Sequence, residues 1–237
     1  MVRSVAVNVQ RLIGVLGIAY VVLTIAPAFF LPPPPPGGAP LAEVARYYTE
    51  HRSGLLLAGW VGLLAFPVGF AFLAGLAMVF RGDDSTSTWL FVTALLSVSV
   101  TLSAAAVQGI LALATPYVST AVTPVEVKLL ADVTQLGFSA TFPFEISYFI
   151  SIGALGLRTR VLPSWLSYLA FVVTVPALLA SLGIVVGSGP LAAGGPATLV
   201  ALVASLLWWL LAGLLLLVRT LPRSGLTATA ATAPTRR

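Results

Sequence analysis

Gly137-Phe138-Ser139-Ala140-Thr141-Phe142-Pro143-Phe144-Glu145-Ile146-Ser147-Tyr148-Phe149-Ile150-Ser151-Ile152-Gly153-Ala154-Leu155-Gly156-Leu157 holds one charged side chain in a stretch long enough to cross a bilayer. A hydrocarbon core about 30 Å thick takes roughly 20 residues of helix, and a helix satisfies its own backbone there. An acid near the middle of such a helix costs about 3 kcal/mol to insert, so it turns toward a bundle interior or water and marks a candidate site. Glu145 therefore implies neighbouring helices.

Those helices are legible as further apolar runs at 12–31, 55–80, 89–115, 165–187 and 197–218. The chain is 59% hydrophobic and 8% charged, with a mean hydropathy of +1.05. A soluble domain carries about 25% charged residues. The expected fold is all-α, a polytopic membrane bundle of six transmembrane helices over residues 1–223, with a disordered tail at 224–237. Arg3 and Arg11 before an apolar run ending in Ala26-Pro27-Ala28 also fit a signal peptide. The run continues through Phe29, Phe30 and Leu31, so it is expected to stay as a membrane helix.

Lys and Arg set the expected orientation. Arg3, Arg11, Arg81, Arg158, Arg160, Arg219, Arg223, Arg236 and Arg237 fall on one side, against Arg46, Arg52 and Lys128 on the other. Both termini are thus expected in the cytoplasm. The longer external loops each carry a helix. In the first, after the polyproline run Pro32 to Pro36, Leu41, Val44, Ala45 and Tyr48 recur at helical spacing opposite Glu43, Arg46 and Glu50. In the second, Thr123-Pro124-Val125-Glu126 is a capping box. Both read as amphipathic helices, the first lying on the outer leaflet and the second closing the outer mouth of the bundle.

Absences narrow the chemistry. With no Cys and His51 as the lone histidine, thiolate sites and an HExxH helix cannot be built, and no metal or other cofactor is expected. Twelve basic residues scattered between apolar runs form no nucleic-acid face, although the net charge is +5. The lipid bilayer is the expected partner, with a lipophilic small molecule as a possible ligand and no protein partner indicated.

The candidate site gathers around Glu145. Thr141 and Tyr148 share its helix face at four residues before and three after, and Pro143 would open the backbone beside it as a kink. Thr93, Ser97, Thr101 and Gln108 form a polar stripe on the third span. Gln108 and Glu145 fall at similar depth, roughly 10 and 12 Å from the outer ends of their spans, so they could meet. Trp60 on the second span is a candidate wall. Glu145 as catalytic proton donor or ligand anchor, with Gln108, Thr101, Thr141, Tyr148 and Trp60 around a ligand, competes with a purely structural Glu145 that bridges helices. Trp208 and Trp209 read as packing, and Trp60, Trp89 and Trp165 also fall near span ends, where aromatic belts form. Gly14, Gly17, Gly59, Gly62, Gly69 and Gly75 point to close helix approaches. An inverted repeat has only Pro67 and Pro176 to support it.

The stretch Ala42-Glu43-Val44-Ala45-Arg46-Tyr47-Tyr48 to His51-Arg52, and the junction Gly156-Leu157-Arg158-Thr159-Arg160-Val161-Leu162-Pro163-Ser164-Trp165-Leu166, resemble uncharacterised six-helix bacterial membrane proteins of the domain-of-unknown-function type. The resemblance implies a multi-pass protein of the bacterial cell membrane and supplies no catalytic residues. Three functions stay open. The first is a non-catalytic protein that binds a lipid or supports a partner. The second is an acid-catalysed enzyme on a lipophilic substrate, like the small membrane terpene cyclases, with Glu145 as proton donor. The third is a small proton-coupled transporter.

Overall fold

The computed structural model describes residues 2–32, 35, 39–80 and 84–218. Six helices long and apolar enough to cross a membrane are present, and the described residues form no strand. The chain is a multi-pass helical membrane protein. The elements are α1 (Val2–Ile25), α2 (Leu41–Glu50), α3 (Arg52–Val79), α4 (Ser85–Val118), α5 (Pro124–Ser139), α6 (Phe142–Thr159), α7 (Ser164–Ser181) and α8 (Pro196–Val218). A 3-10 turn, Ala26–Phe29, extends α1, and another, Leu182–Ile184, ends α7. The expected tail at 224–237 lies outside the described residues, as does part of the proline run.

The long helices close into a ring. In order, α1 packs on α3, α3 on α4, α4 on α6, α6 on α7, α7 on α8, and α8 back on α1. Neighbours run antiparallel. The Gln10 amide donates to the Leu216 carbonyl at 2.8 Å, while ten residues further along α1 the Tyr20 ring lies 5.4 Å from Trp209. The start of α1 and the end of α8 consequently lie on one side of the ring.

Lipid tails are as apolar as leucine, so close packing rather than the hydrophobic effect holds such helices together. The tightest crossing is α1 on α8. A Cβ placed at Gly14 would meet the Gly213 carbonyl oxygen and the Leu217 nitrogen at 2.7 Å, so only glycine lets these backbones touch. Gly17 takes the Phe72 ring, Gly69 the Tyr20 ring and Gly59 the Leu113 side chain, as the glycine spacing predicts, whereas a Cβ at Gly62 would meet nothing nearer than Pro27 at 3.7 Å. The ring centre is filled with aromatic side chains. Phe72, Phe149 and Trp208 are fully buried, and the Trp208 indole donates to the Leu166 carbonyl at 3.0 Å.

Exposed aromatics mark both rims. Trp89, Trp165 and Tyr168 are exposed at one end, and Phe29, Phe30, Trp60 and Tyr117 at the other. This distribution is that of interfacial belts. At the second rim, α2 and α5 pack together over the ends of α3 and α4. The α5 start is the capping box read from sequence, with Glu126 accepting from the Thr123 nitrogen at 2.7 Å. On α2 the buried residues are Val44 and Tyr47, whereas Leu41 stays exposed, so the inward face is turned from the one the spacing predicts. The Tyr47 hydroxyl donates to the Pro32 carbonyl at 2.9 Å, which draws that side of α2 inward. Burial in this layer pushes the Tyr48 phenol up to about 12, with smaller contributions from Tyr47 and Asp132 of α5. His51 lies in the turn between α2 and α3 with its ring 4.9 Å from that of Tyr47.

Candidate functional site at Glu145

The span predicted as one helix over 137–157 is two. α5 ends at Ser139 and α6 starts at Phe142, with Ala140 and Thr141 between them. Pro143 explains the restart, and it corrects the expectation of a kink. Proline has no N–H and clashes with the preceding turn, so inside a helix it breaks the ladder, while in a first turn it costs nothing. The chain resolves this by ending one helix and placing Pro143 in the first turn of the next. The Phe144 and Glu145 nitrogens then donate to the Thr141 carbonyl at 3.1 and 3.2 Å. Glu145 accordingly lies in the first turn of α6, at the positive end of its dipole, and not in mid-helix.

From there the side chain reaches across the ring. Oε2 of Glu145 accepts a hydrogen bond from Oγ of Ser205 at 3.0 Å, which joins α6 to α8 although α7 stands between them in the ring order. The acid falls between two apolar clusters. Phe142, Ala177, Ala180 and Ala201 form the smaller one, and the main cluster runs through Tyr148, Trp208 and Trp209. Glu145 is half-buried, and Ala140, Pro143 and Phe144 beside it are exposed.

Aromatic rings line the inward side. Tyr148 stacks on Trp209 at 5.3 Å and meets Phe149 at 5.0 Å edge-on, while Trp209 also contacts Tyr20 and Phe72. Trp209 thereby links Tyr148 of α6 to Tyr20 of α1. Tyr148 is 2% exposed and its hydroxyl has no hydrogen-bond partner. A cavity of about 20 Å³ is lined by Leu76, Phe80, Phe91, Val98, Tyr148 and Ile152, and Glu145 is not among its lining residues. That is room for about one water, against the roughly 300 Å³ or more of a small-molecule pocket.

The other predicted residues are dispersed. Gln108 packs on Gly137 of α5, with its Oε1 buried and unpartnered, rather than on Glu145. Thr101 is buried and bonds the Ser97 carbonyl of its own helix at 3.0 Å. Ser97 donates to Ser147 of α6 at 2.9 Å, so the polar stripe of α4 does face α6, but at a position two residues past the acid and on the other side of the helix. Thr141 is the residue before α6, with its hydroxyl turned back to the Phe138 carbonyl at 2.7 Å, and so leaves the face it was expected to share with Glu145. Trp60 is 57% exposed on the outside of α3 and walls no interior site. Tyr148 lies three residues after Glu145 on α6, buried against Trp209. Ser205 and Tyr20 are the residues the sequence reading missed. Ser205 was detectable as a hydroxyl in the middle of the apolar run 197–218.

A second polar group closes the opposite rim. Asp84 caps α4, accepting from the Ser87 nitrogen at 2.9 Å and the Ser87 hydroxyl at 2.6 Å, and pairs with Arg158 at the end of α6 at 3.0 Å. The Ser87 hydroxyl and backbone nitrogen, then Arg158, hold the Asp84 carboxyl well below the usual carboxylate range. No family model, curated protein or solved structure matches the chain.

Proposed function

We propose that the chain is a non-catalytic membrane protein that docks the polar head of a lipophilic molecule at Glu145. The observation that carries this reading is an acidic residue in the first turn after a helix break, its carboxyl bonded to Ser205, with the neighbouring Ala140, Pro143 and Phe144 exposed on the outside of the bundle. The tail of the ligand stays among the lipids, since the ring interior is occupied by Phe72, Tyr148, Trp208 and Trp209. A cyclase would have to enclose its whole substrate to shape a cation, and the 20 Å³ cavity lined by Tyr148 offers no such volume. The split of Lys and Arg supports both termini in the cytoplasm of a bacterial cell, with α2, α5 and the break toward the outer leaflet. The loose resemblance to six-helix bacterial membrane proteins agrees with this placement.

The test is mass spectrometry of small molecules that co-purify with the detergent-extracted protein, wild type against Glu145→Gln. A defined lipophilic compound held by wild type and depleted in the variant is the expected result. The same lipids in both samples would contradict it.

A further inference from the structure

The turn that joins α6 to α7 leaves one cation without a protein partner, and we propose that this cation, Arg160, holds the phosphate of an anionic phospholipid. Arg160 closes α6, with its nitrogen donating to the Gly156 carbonyl at 3.0 Å and its backbone in the left-handed region at φ 54°. Among the described residues it is the one non-glycine residue with positive φ. Glycine takes that conformation freely, whereas a Cβ crowds the following carbonyl, so the turn alone would be better served by glycine. What arginine adds is a guanidinium, which is exposed and makes no hydrogen bond or ion pair with the described residues. Two residues earlier, Arg158 is engaged by Asp84 at 3.0 Å and by the Ser87 hydroxyl at 3.2 Å. Asp84 is the one acid at this rim among the described residues. At the opposite rim each described cation has a partner in the chain: Arg46 pairs with Glu50, Lys128 with Asp132, and Arg52 donates to the Pro116 and Tyr117 carbonyls.

The neighbours of Arg160 set its depth. Trp165 and Tyr168, three residues apart on α7, are 51% and 60% exposed, and Trp89 in the first turns of α4 is 65% exposed. Such rings settle at the headgroup level of a bilayer, which brings the α6–α7 turn to the level of the lipid phosphates. A guanidinium meets a phosphate through two parallel N–H···O bonds, and an anionic leaflet draws basic residues at the membrane edge toward it. A zwitterionic head carries the same phosphate beside an ammonium that cancels its charge, so a head with net negative charge is favoured. The contact is independent of the dock at Glu145, which lies at the other end of α6.

The experiment uses the full chain in bilayers that mix phosphatidylcholine with phosphatidylglycerol, one of the two carrying brominated chains. Quenching of tryptophan fluorescence, to which the exposed Trp165 and Trp89 report from this rim, gives the preference for one lipid over the other. Wild type is compared with Arg160→Gly, Arg160→Lys and, at the opposite rim, Arg46→Gln. Glycine suits the left-handed backbone, so Arg160→Gly removes the guanidinium and keeps the turn. The expected result is a preference for phosphatidylglycerol of about fivefold in wild type, the size one basic residue gives at an anionic surface. It should disappear in Arg160→Gly and persist in Arg160→Lys and Arg46→Gln. Equal quenching by the two lipids in wild type overturns the proposal, and so does a preference that survives in Arg160→Gly. Excess inorganic phosphate, at matched ionic strength, should leave the preference unchanged, and its loss would assign Arg160 to a free anion and overturn the lipid. Should Arg160→Gly fail to fold, Arg160→Asn, which also tolerates the left-handed region, is read in its place against the same outcomes.

Discussion

Ser205 of α8 donates to Glu145 of α6 at 3.0 Å, and the bond ties two helices that the ring separates by α7. Interhelical hydrogen bonds in membrane bundles contribute modestly, because the unfolded chain finds other partners in the same membrane. Ser205→Ala should therefore lower stability by about 1 kcal/mol. A thermal melt in detergent, followed by the fraction still eluting as monodisperse protein, measures it. A melting temperature unchanged from wild type would show that the bond holds nothing.

Tyr148→Phe should act in the opposite direction in ligand-free protein. Its hydroxyl is buried without a partner, which costs about 1 kcal/mol or more, and the phenyl ring keeps the stack on Trp209. A rise in melting temperature is the expected outcome of the same assay.

Gly14→Leu should be the most damaging single change. The added side chain would drive into the Gly213 carbonyl and the backbone of Leu217, where no rotamer can yield. A loss of about 3 kcal/mol, seen as poor yield and aggregation on size exclusion, is expected. Gly187→Leu, which meets nothing in its loop, is the control and should behave as wild type.

Asp84 gives the acid dependence a direction. Its folded carboxyl is held below the ordinary value of about 4, so its contribution is complete above that value and fades as pH falls through the lower folded value. Melting temperature should fall on acidification below about pH 4 more steeply in wild type than in Asp84→Asn. Parallel acid limbs would remove Asp84 from the account.

The membrane fold was legible because its cause is composition. Runs such as 55–80 and 197–218 have no soluble alternative, and α3 and α8 fall where they predict. The glycine contacts were legible for a similar reason, since Gly17, Gly59 and Gly69 have no other use in an apolar helix. The break at Ala140 was not. Pro143 announces a disturbance, but whether a helix kinks or restarts depends on what packs on α5, and that includes Gln108 against Gly137 and α2 from a distant part of the chain. The partner of Glu145 was hidden for the same reason. Helical spacing orders neighbours along one helix, such as Tyr148, and says nothing of Ser205 sixty residues away.

The proposed dock requires the Glu145 carboxyl to meet the lipid phase through the break between α5 and α6. Labelling by a lipid-soluble carbodiimide, dicyclohexylcarbodiimide, and by a water-soluble one, located by peptide mass mapping of protein in bilayers, tests it most directly. The account predicts that the lipid-soluble reagent modifies Glu145 and the water-soluble one does not. A Glu145 that neither reagent reaches, or that the water-soluble one labels first, would contradict it.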